Sequence, residues 1–360
     1  RLRSIGYRDP AGAIAHIAAL TGGVSRTAAS QRQLLPVMLG WFGEGPEPDA
    51  GLLAFRVLSE KMGRTSWYMR TLRDGGAAAE RLCRVLSSSR YLAEQIPALS
   101  ESISWLEHID DLRPRTRDDL YAELNSLLER RHHPASIADA GRYLRRRELL
   151  RTGLGQVLRI VEPVESRAAV SQAADIAIEA GLRAAIQAAR LRFTTEAPSN
   201  YVVIAMGRLG GEEMGYASDA DILFVHEPHE GADPEFAARF AAEVATSMKS
   251  LLGDIASEPP LPVDFDLRPE GRQGPLARSF ESYSEYYERW AEPWERQSLL
   301  RARPCAGDPQ LAARFIALID EYRYPAEGID EGTRKEILRI KARVESERMP
   351  RGVLPQRHLK

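Results

Sequence analysis

Three short runs rich in β-branched residues interrupt an otherwise helical chain, and they confine any sheet to the stretch after Pro198. The first, Tyr201 to Met206, reads YVVIAM and is bounded by Pro and Gly, as a buried strand should be. Asp221 to Val225 forms the second run and Leu261 to Leu267 the third. Between the last two the pattern predicts a helix with Asp233 as N-cap and Pro234 at its first position. Phe236, Phe240, Val244, Met248 and Leu251 lie on one face, and Gly253 lies past its end. The order is strand, Gly-rich loop, strand, helix, strand. A small sheet embedded in a mostly helical chain is the α+β class.

On either side the periodicity is helical. From Asp9 to about Asp111 short amphipathic helices alternate with Gly and Pro punctuation. One helix is expected to begin at Asp49, run through Leu52, Leu53, Phe55, Val57 and Leu58, and stop at Gly63. Trp41, Phe42, Trp67 and Tyr68 read as core residues. Residues 112–195 are again helical, with an Ala-rich helix from about Glu165 to Phe193. They contain a basic cluster, Arg142, Arg145, Arg146, Arg147 and Arg151, which is read as a solvated helix face or, more sharply, as a contact surface for an acidic partner. Beyond Ser279 helices return, ending with Thr333 to Met349, where Ile337, Ile340 and Val344 form a narrow stripe that needs a partner surface, expected past Lys360.

The chain holds 49 basic and 51 acidic side chains, a net charge of −2, which argues against bulk electrostatic attraction to nucleic acid or an anionic membrane. No apolar run approaches the roughly 20 residues that span a bilayer, and the N-terminus lacks an apolar signal core. Cys83 and Cys305 are far apart and make neither a disulfide framework nor a zinc pattern, so a cytoplasmic location is expected. The start at Arg1 and the basic, unpatterned tail ending at Lys360 read as a piece of a longer polypeptide.

The segment GRLGGEEMGYASDADILFV carries the chemistry. Asp219 and Asp221 stand two apart at a strand start, so both carboxylates leave on one face, with Cα atoms about 6 to 7 Å apart. Two carboxylates held that close repel unless a cation neutralises them, and hard oxygen ligands favour Mg²⁺, with Mn²⁺ as the alternative. Gly210 and Gly211 occupy the preceding turn, where missing Cβ atoms let backbone N–H groups approach a phosphate. The competing reading is a surface turn followed by an edge strand with N-capping aspartates. In the third run, LPVDFDLRPEG, strand alternation sets Asp264, Asp266 and Arg268 opposite Val263, Phe265 and Leu267, so a third carboxylate becomes available. Carboxylates around metal, with Arg268 and Arg272 near, meet the needs of phosphoryl or nucleotidyl transfer. Arg268 has a second reading as a salt-bridge partner of Asp266.

Gly210-Gly211, Ser218, Asp219-Ala220-Asp221 and Asp264 resemble the nucleotidyltransferase (polymerase β-like) fold. The segments GRLGGEEMGYASDADILF, DLRPEGRQGPL and WERQSLLRARPCAGDPQL resemble the glutamine synthetase adenylyltransferase family. That resemblance covers nearly the whole chain and implies a mixed-sheet core of about 198–270. It implies an all-helical regulatory or linker domain over 1–111, a nucleotidyltransferase domain over 112–305, and the start of a truncated helical C-terminal domain over 306–360. It implies transfer of AMP from ATP to a tyrosine of glutamine synthetase with release of pyrophosphate, regulating nitrogen assimilation, and a small regulatory signalling protein as a further partner. Matched by position, Asp219, Asp221 and Asp264 are the metal-binding and catalytic carboxylates, and Gly210, Gly211, Ser218 and Arg268 contact the nucleotide. Asp266 stands where many relatives have a basic residue, which leaves Asp264 favoured over Asp266 as the third carboxylate. Glu295, Arg301 and Arg303 match a family motif with no derived role. Phosphorolytic removal of AMP by the same site, and a non-catalytic nucleotide-sensing module, are the alternatives.

Overall fold

The computed structural model describes residues 1–23, 26–62, 65–74, 76–290 and 292–348; of residues 26, 27, 66, 74, 344, 345, 347 and 348 only the backbone is described. The chain divides into two units: residues 1–120 with 145–173, and residues 121–144 with those from 174 onward. The helix Pro309–Arg323 shares its apolar core with the sheet of the second unit.

Every secondary-structure element among the described residues of the first unit is a helix. Its core includes Phe42, Leu52, Phe55, Leu58 and Tyr68, all but inaccessible, with the Phe42 and Phe55 rings 5.9 Å apart. Trp41 and Trp67 are half-buried. The helix expected from Asp49 runs Pro48–Met62, and Gly63 lies outside the described residues. Asp49 does not cap its own helix: its carboxylate accepts the N–H groups of Arg8 at 2.8 Å and Asp9 at 3.2 Å, tying the chain start to this helix. The basic cluster is not a solvated face. Arg145 and Arg151 are buried in this unit, where Arg151 bonds Glu148 at 3.2 Å and stacks over Trp105 at 4.0 Å. In the second unit Arg142 is 2% exposed.

The sheet lies in the second unit. Its strands are β1 (Ser199–Ala205), β2 (Ala220–Pro228), β3 (Val263–Asp264), β4 (Arg278–Ser279) and β5 (Arg303–Gly307). The order is β3-β2-β1-β5, with β4 also on β2. β1 is antiparallel to β2 and β5, whereas β3 and β4 run parallel to β2. The helix Pro234–Gly253 makes the crossover from β2 to β3, started as expected by the Asp233 side chain and ending with Gly253 inside it. On one sheet face Val202, Ile204, Leu223 and Val225 pack with Tyr283, Phe315 and Ile319. On the other, Tyr201 packs against Phe224 and Phe240, with ring centroids 5.9 and 6.4 Å away. Both faces are therefore covered, and β-branched runs, rather than alternating ones, result.

Two differences from the sequence reading have clear causes. The third run is extended only over Val263–Asp264, because the Asp266 N–H turns back onto Asp264 Oδ1 at 2.7 Å and the Arg268 N–H onto the Phe265 carbonyl at 3.1 Å. Strand alternation therefore ends before Asp266 and Arg268. β5 falls where only helices were expected; its Pro304 sits at a register shift against Ile204 on the sheet edge, where a missing N–H is tolerated. The closing helix spans Glu331–Arg348, with Ile337 and Ile340 half-buried. The Val344 side chain and Met349 lie outside the described residues. No helix among the described residues is long and apolar enough to cross a membrane, and Cys83 and Cys305 are both buried thiols outside any disulfide.

His226, on β2, is 3% exposed, and burial pushes its pKa down to about 4. The unfolded chain binds this proton near 6.5 and the folded one near 4, so its contribution to stability is complete above pH 6.5 and declines as the pH falls toward 4. Between pH 7.5 and 5 the second unit should lose about 2 kcal/mol through this group. Urea unfolding of the His226→Gln variant across that range should lack this part of the slope.

Candidate functional site

Asp219 is exposed one residue before β2, and Asp221 is the second residue of that strand, half-buried. Asp221 is the register partner of Asp264 in the parallel pairing of β2 and β3. Parallel neighbours stand about 4.8 Å apart with side chains on a common face, so two aspartates from distant parts of the chain share one face of the sheet here. The pairing is fixed from behind by the Ala220 N–H, which donates to the Pro262 carbonyl at 2.9 Å.

Asp219 and Asp264 line a cleft of about 460 Å³ together with Lys249, Asp266, Arg268 and Arg272. Asp266 is engaged elsewhere: the Arg272 Nε donates to its Oδ2 at 2.6 Å and Arg268 Nη1 stands 3.7 Å from its Oδ1. The Arg272 hydrogen bond holds the Asp266 carboxyl below the usual carboxylate range, helped by the charges of Arg272, Arg268 and Lys249. Arg268 is buried and its guanidinium donates to the carbonyls of Gly274 at 2.8 Å, Phe265 at 2.9 Å and Arg272 at 3.0 Å. It clamps the 265–274 loop under the cleft, and the ion pair with Asp266 anticipated for it is present.

The Gly-rich turn is a short helical turn, Gly207–Gly210, directly after β1. The amides of Gly210 and Gly211 are already used, donating to the Met206 carbonyl at 2.8 Å and the Gly207 carbonyl at 3.1 Å. A Cβ on Gly210 would stand 2.1 Å from the Arg301 carbonyl oxygen, so close backbone packing explains that glycine. Ser218 closes the loop before β2, its Oγ accepting the Gly215 N–H at 3.1 Å. Gly207 was not singled out in the sequence, yet it bears most directly on the carboxylates. Its φ is +52°, and a Cβ there would lie 2.3 Å from Asp221 Oδ2. The Asp221 carboxylate thus occupies the space that a side chain at 207 would fill. Lys249, exposed on the crossover helix, was also missed; its only sequence signal is position on the helix before β3.

The donor set suits a hard divalent cation: carboxylate oxygens from β2, its approach and β3, with cationic side chains around them. As placed, no three Asp, Glu, His or Cys side chains among the described residues converge on one ion. Asp264 Oδ1 accepts the Asp266 N–H at 2.7 Å, which leaves its Oδ2 to face a cation.

The family described as glutamate-ammonia ligase adenylyltransferase matches residues 79–318, two thirds of the chain. The chain belongs to that family. A relative from Streptomyces avermitilis is 46% identical over 374 aligned positions that cover 100% of this chain and 37% of the relative. One from Leifsonia xyli subsp. xyli is 48% identical over 362, covering 100% of this chain and 35% of the relative. One from Nocardia farcinica is 44% identical over 363, covering 100% and 36%. Each is named a bifunctional glutamine synthetase adenylyltransferase/adenylyl-removing enzyme. The chain spans little more than a third of the length of these relatives.

In this glutamate-ammonia ligase adenylyltransferase family member, Gly207→Ala tests the fit of Asp221. A left-handed alanine costs about 1–2 kcal/mol by itself. Gly231 provides the control, since its φ is +77° and a Cβ there meets nothing within 4 Å. Urea denaturation should show Gly231→Ala losing only the conformational part and Gly207→Ala losing about 1–2 kcal/mol more from overlap with the carboxylate.

Proposed function

We propose that this chain carries an adenylyl-transfer centre that moves AMP from ATP to a tyrosine hydroxyl of glutamine synthetase. The observation that carries the reading is the register pairing of Asp221 with Asp264, with Asp219 on the same cleft, in a chain of this family. A sheet in which β1 and β2 are antiparallel, β3 joins parallel, and Asp-x-Asp opens β2 supports a polymerase β-like nucleotidyltransferase fold. Asp219, Asp221 and Asp264 would hold Mg²⁺, which supplies neutralisation of triphosphate charge and favours the ionised form of an incoming hydroxyl. Lys249 and Arg272 border the same cleft and place positive charge beside the phosphates. Asp264 accepts the tyrosine proton; the phenolic oxygen forms its bond to the α-phosphorus while the bond to the bridging oxygen breaks, and pyrophosphate leaves.

Asp266 stays with Arg272 and serves the loop rather than the transfer. Incubating the chain with ATP, Mg²⁺ and glutamine synthetase should add one AMP mass increment to a synthetase tyrosine. The adenylyl-removing half of the relatives' name gives the second reading: phosphate-dependent ADP release from adenylylated synthetase, without AMP addition, would replace the first.

A further inference from the structure

Arg303 and Asp175 lie outside the carboxylate cleft, yet they connect to it through the backbone of the Gly-rich turn. Asp175, on the helix Pro163–Phe193, is 1% exposed. Such a carboxylate requires a partner, since burying an unpaired charge is strongly unfavourable. Arg303, on β5, donates to it through both ends of its fork, Nη1 to Oδ2 at 2.7 Å and Nη2 to Oδ1 at 3.1 Å. The same Nη2 donates to the Leu209 carbonyl at 3.0 Å. Leu209 belongs to the Gly207–Gly210 turn, whose first residue makes room for the Asp221 carboxylate.

That turn has reason to need an external hold. It begins with left-handed backbone at Gly207, φ +52°, and Glu212, two residues past its end, is left-handed as well, φ +55°. Such conformations persist where surrounding contacts over-determine them. Arg301 supplies a second hold: its carbonyl packs on Gly210, and its guanidinium pairs with Glu213 at 2.8 Å. Glu213 in turn donates its N–H to the Arg208 carbonyl at 2.8 Å. Both arginines come from the segment at the start of β5, so the strand that the sequence concealed is the one that grips the turn.

We propose that Asp175 and Arg303 are positioning residues that fix the Gly207–Gly210 turn, and through it Asp221, in the arrangement nucleotidyl transfer uses. The inference rests on the adenylyl-transfer reading for its kinetic consequence but not for its structural one. A lysine at 303 can neutralise Asp175 but offers a single nitrogen, whereas the guanidinium fork spans the carboxylate and the Leu209 carbonyl together.

The test compares Arg303→Lys, Arg303→Gln and Asp175→Asn with Arg314→Gln, which removes an ion pair, Arg314 to Glu227 at 2.7 Å, at the opposite end of β2. Amide hydrogen exchange should speed up at least tenfold at Gly210 and Gly211 in the three turn variants while the β1–β2 ladder keeps its protection. AMP transfer should fall at least tenfold in the same three, and Arg314→Gln should match the wild type in both readouts. Arg303→Lys should retain the wild-type melting temperature and still lose turn protection. Wild-type turn protection in Arg303→Lys would reduce Arg303 to a counter-charge and overturn the inference, as would an equal loss in Arg314→Gln. If the wild-type chain transfers no AMP but the turn loosens as described, the functional reading fails and the positioning role stands.

Discussion

Asp221→Asn should lower AMP transfer by at least about a thousandfold, some 4 kcal/mol of transition-state stabilisation, while leaving the melting temperature near that of the wild type. Asparagine has the shape of aspartate, so the space beside Gly207 stays filled and the β2–β3 register is retained. Only the charge is removed. Asp219→Asn should behave alike, because Asp219 is exposed and its replacement costs the fold little. In Asp264→Asn the amide oxygen can still accept the Asp266 N–H, so loss of transfer there would again be chemical. The discriminating comparison is Asp266→Asn. Its carboxylate is committed to Arg272 and Arg268, and removing it should cost less than about tenfold. Full residual activity in both Asp219→Asn and Asp221→Asn would refute the assignment of the carboxylates, and a thousandfold loss in Asp266→Asn would exchange the roles of Asp264 and Asp266.

How far these contrasts were visible in the sequence depended on whether local or long-range contacts decide each element. The runs at Tyr201 and Asp221 and the Asp233-capped helix are legible because strand burial and capping act within a few residues. Asp264 was reachable in the same way, as a polar residue beside buried Val263 and Phe265. Extending the alternation to Asp266 and Arg268 failed because a side-chain acceptor two residues back captures the Asp266 N–H, which period-two reasoning does not foresee. β5 was hidden by its own composition: Arg303-Pro304-Cys305-Ala306-Gly307 has no β-branched residue and is extended only because β1 offers an open edge. The glycines show the same division. Gly210-Gly211 stands out as a pair, but the need for Gly207 comes from a carboxylate fourteen residues away, which no local pattern records.

Arg142→Met should destabilise the second unit by about 3–5 kcal/mol, the range for leaving buried hydrogen-bonding groups without their charged partner. The guanidinium donates to the carbonyls of Leu251 at 3.2 Å, Asp254 at 3.1 Å and Pro259 at 3.2 Å, and also to that of Glu258. These are the last turn of the crossover helix and the loop after it, so a single buried side chain closes the connection that delivers β3 to β2. Methionine fills the apolar part of the space but provides no donor, and lysine provides one nitrogen for carbonyls that now share three. Arg142→Lys should therefore fall between the wild type and Arg142→Met in urea midpoint. Because Asp264 is the residue that the connection presents, exchange of the Ala220 amide, which donates to the Pro262 carbonyl, should accelerate before global unfolding. AMP transfer should decline in parallel with that exchange rather than with the melting temperature. Were the arginine run a contact face for an acidic partner, Arg142→Met would leave urea midpoint and Ala220 exchange untouched and weaken only the binding of that partner.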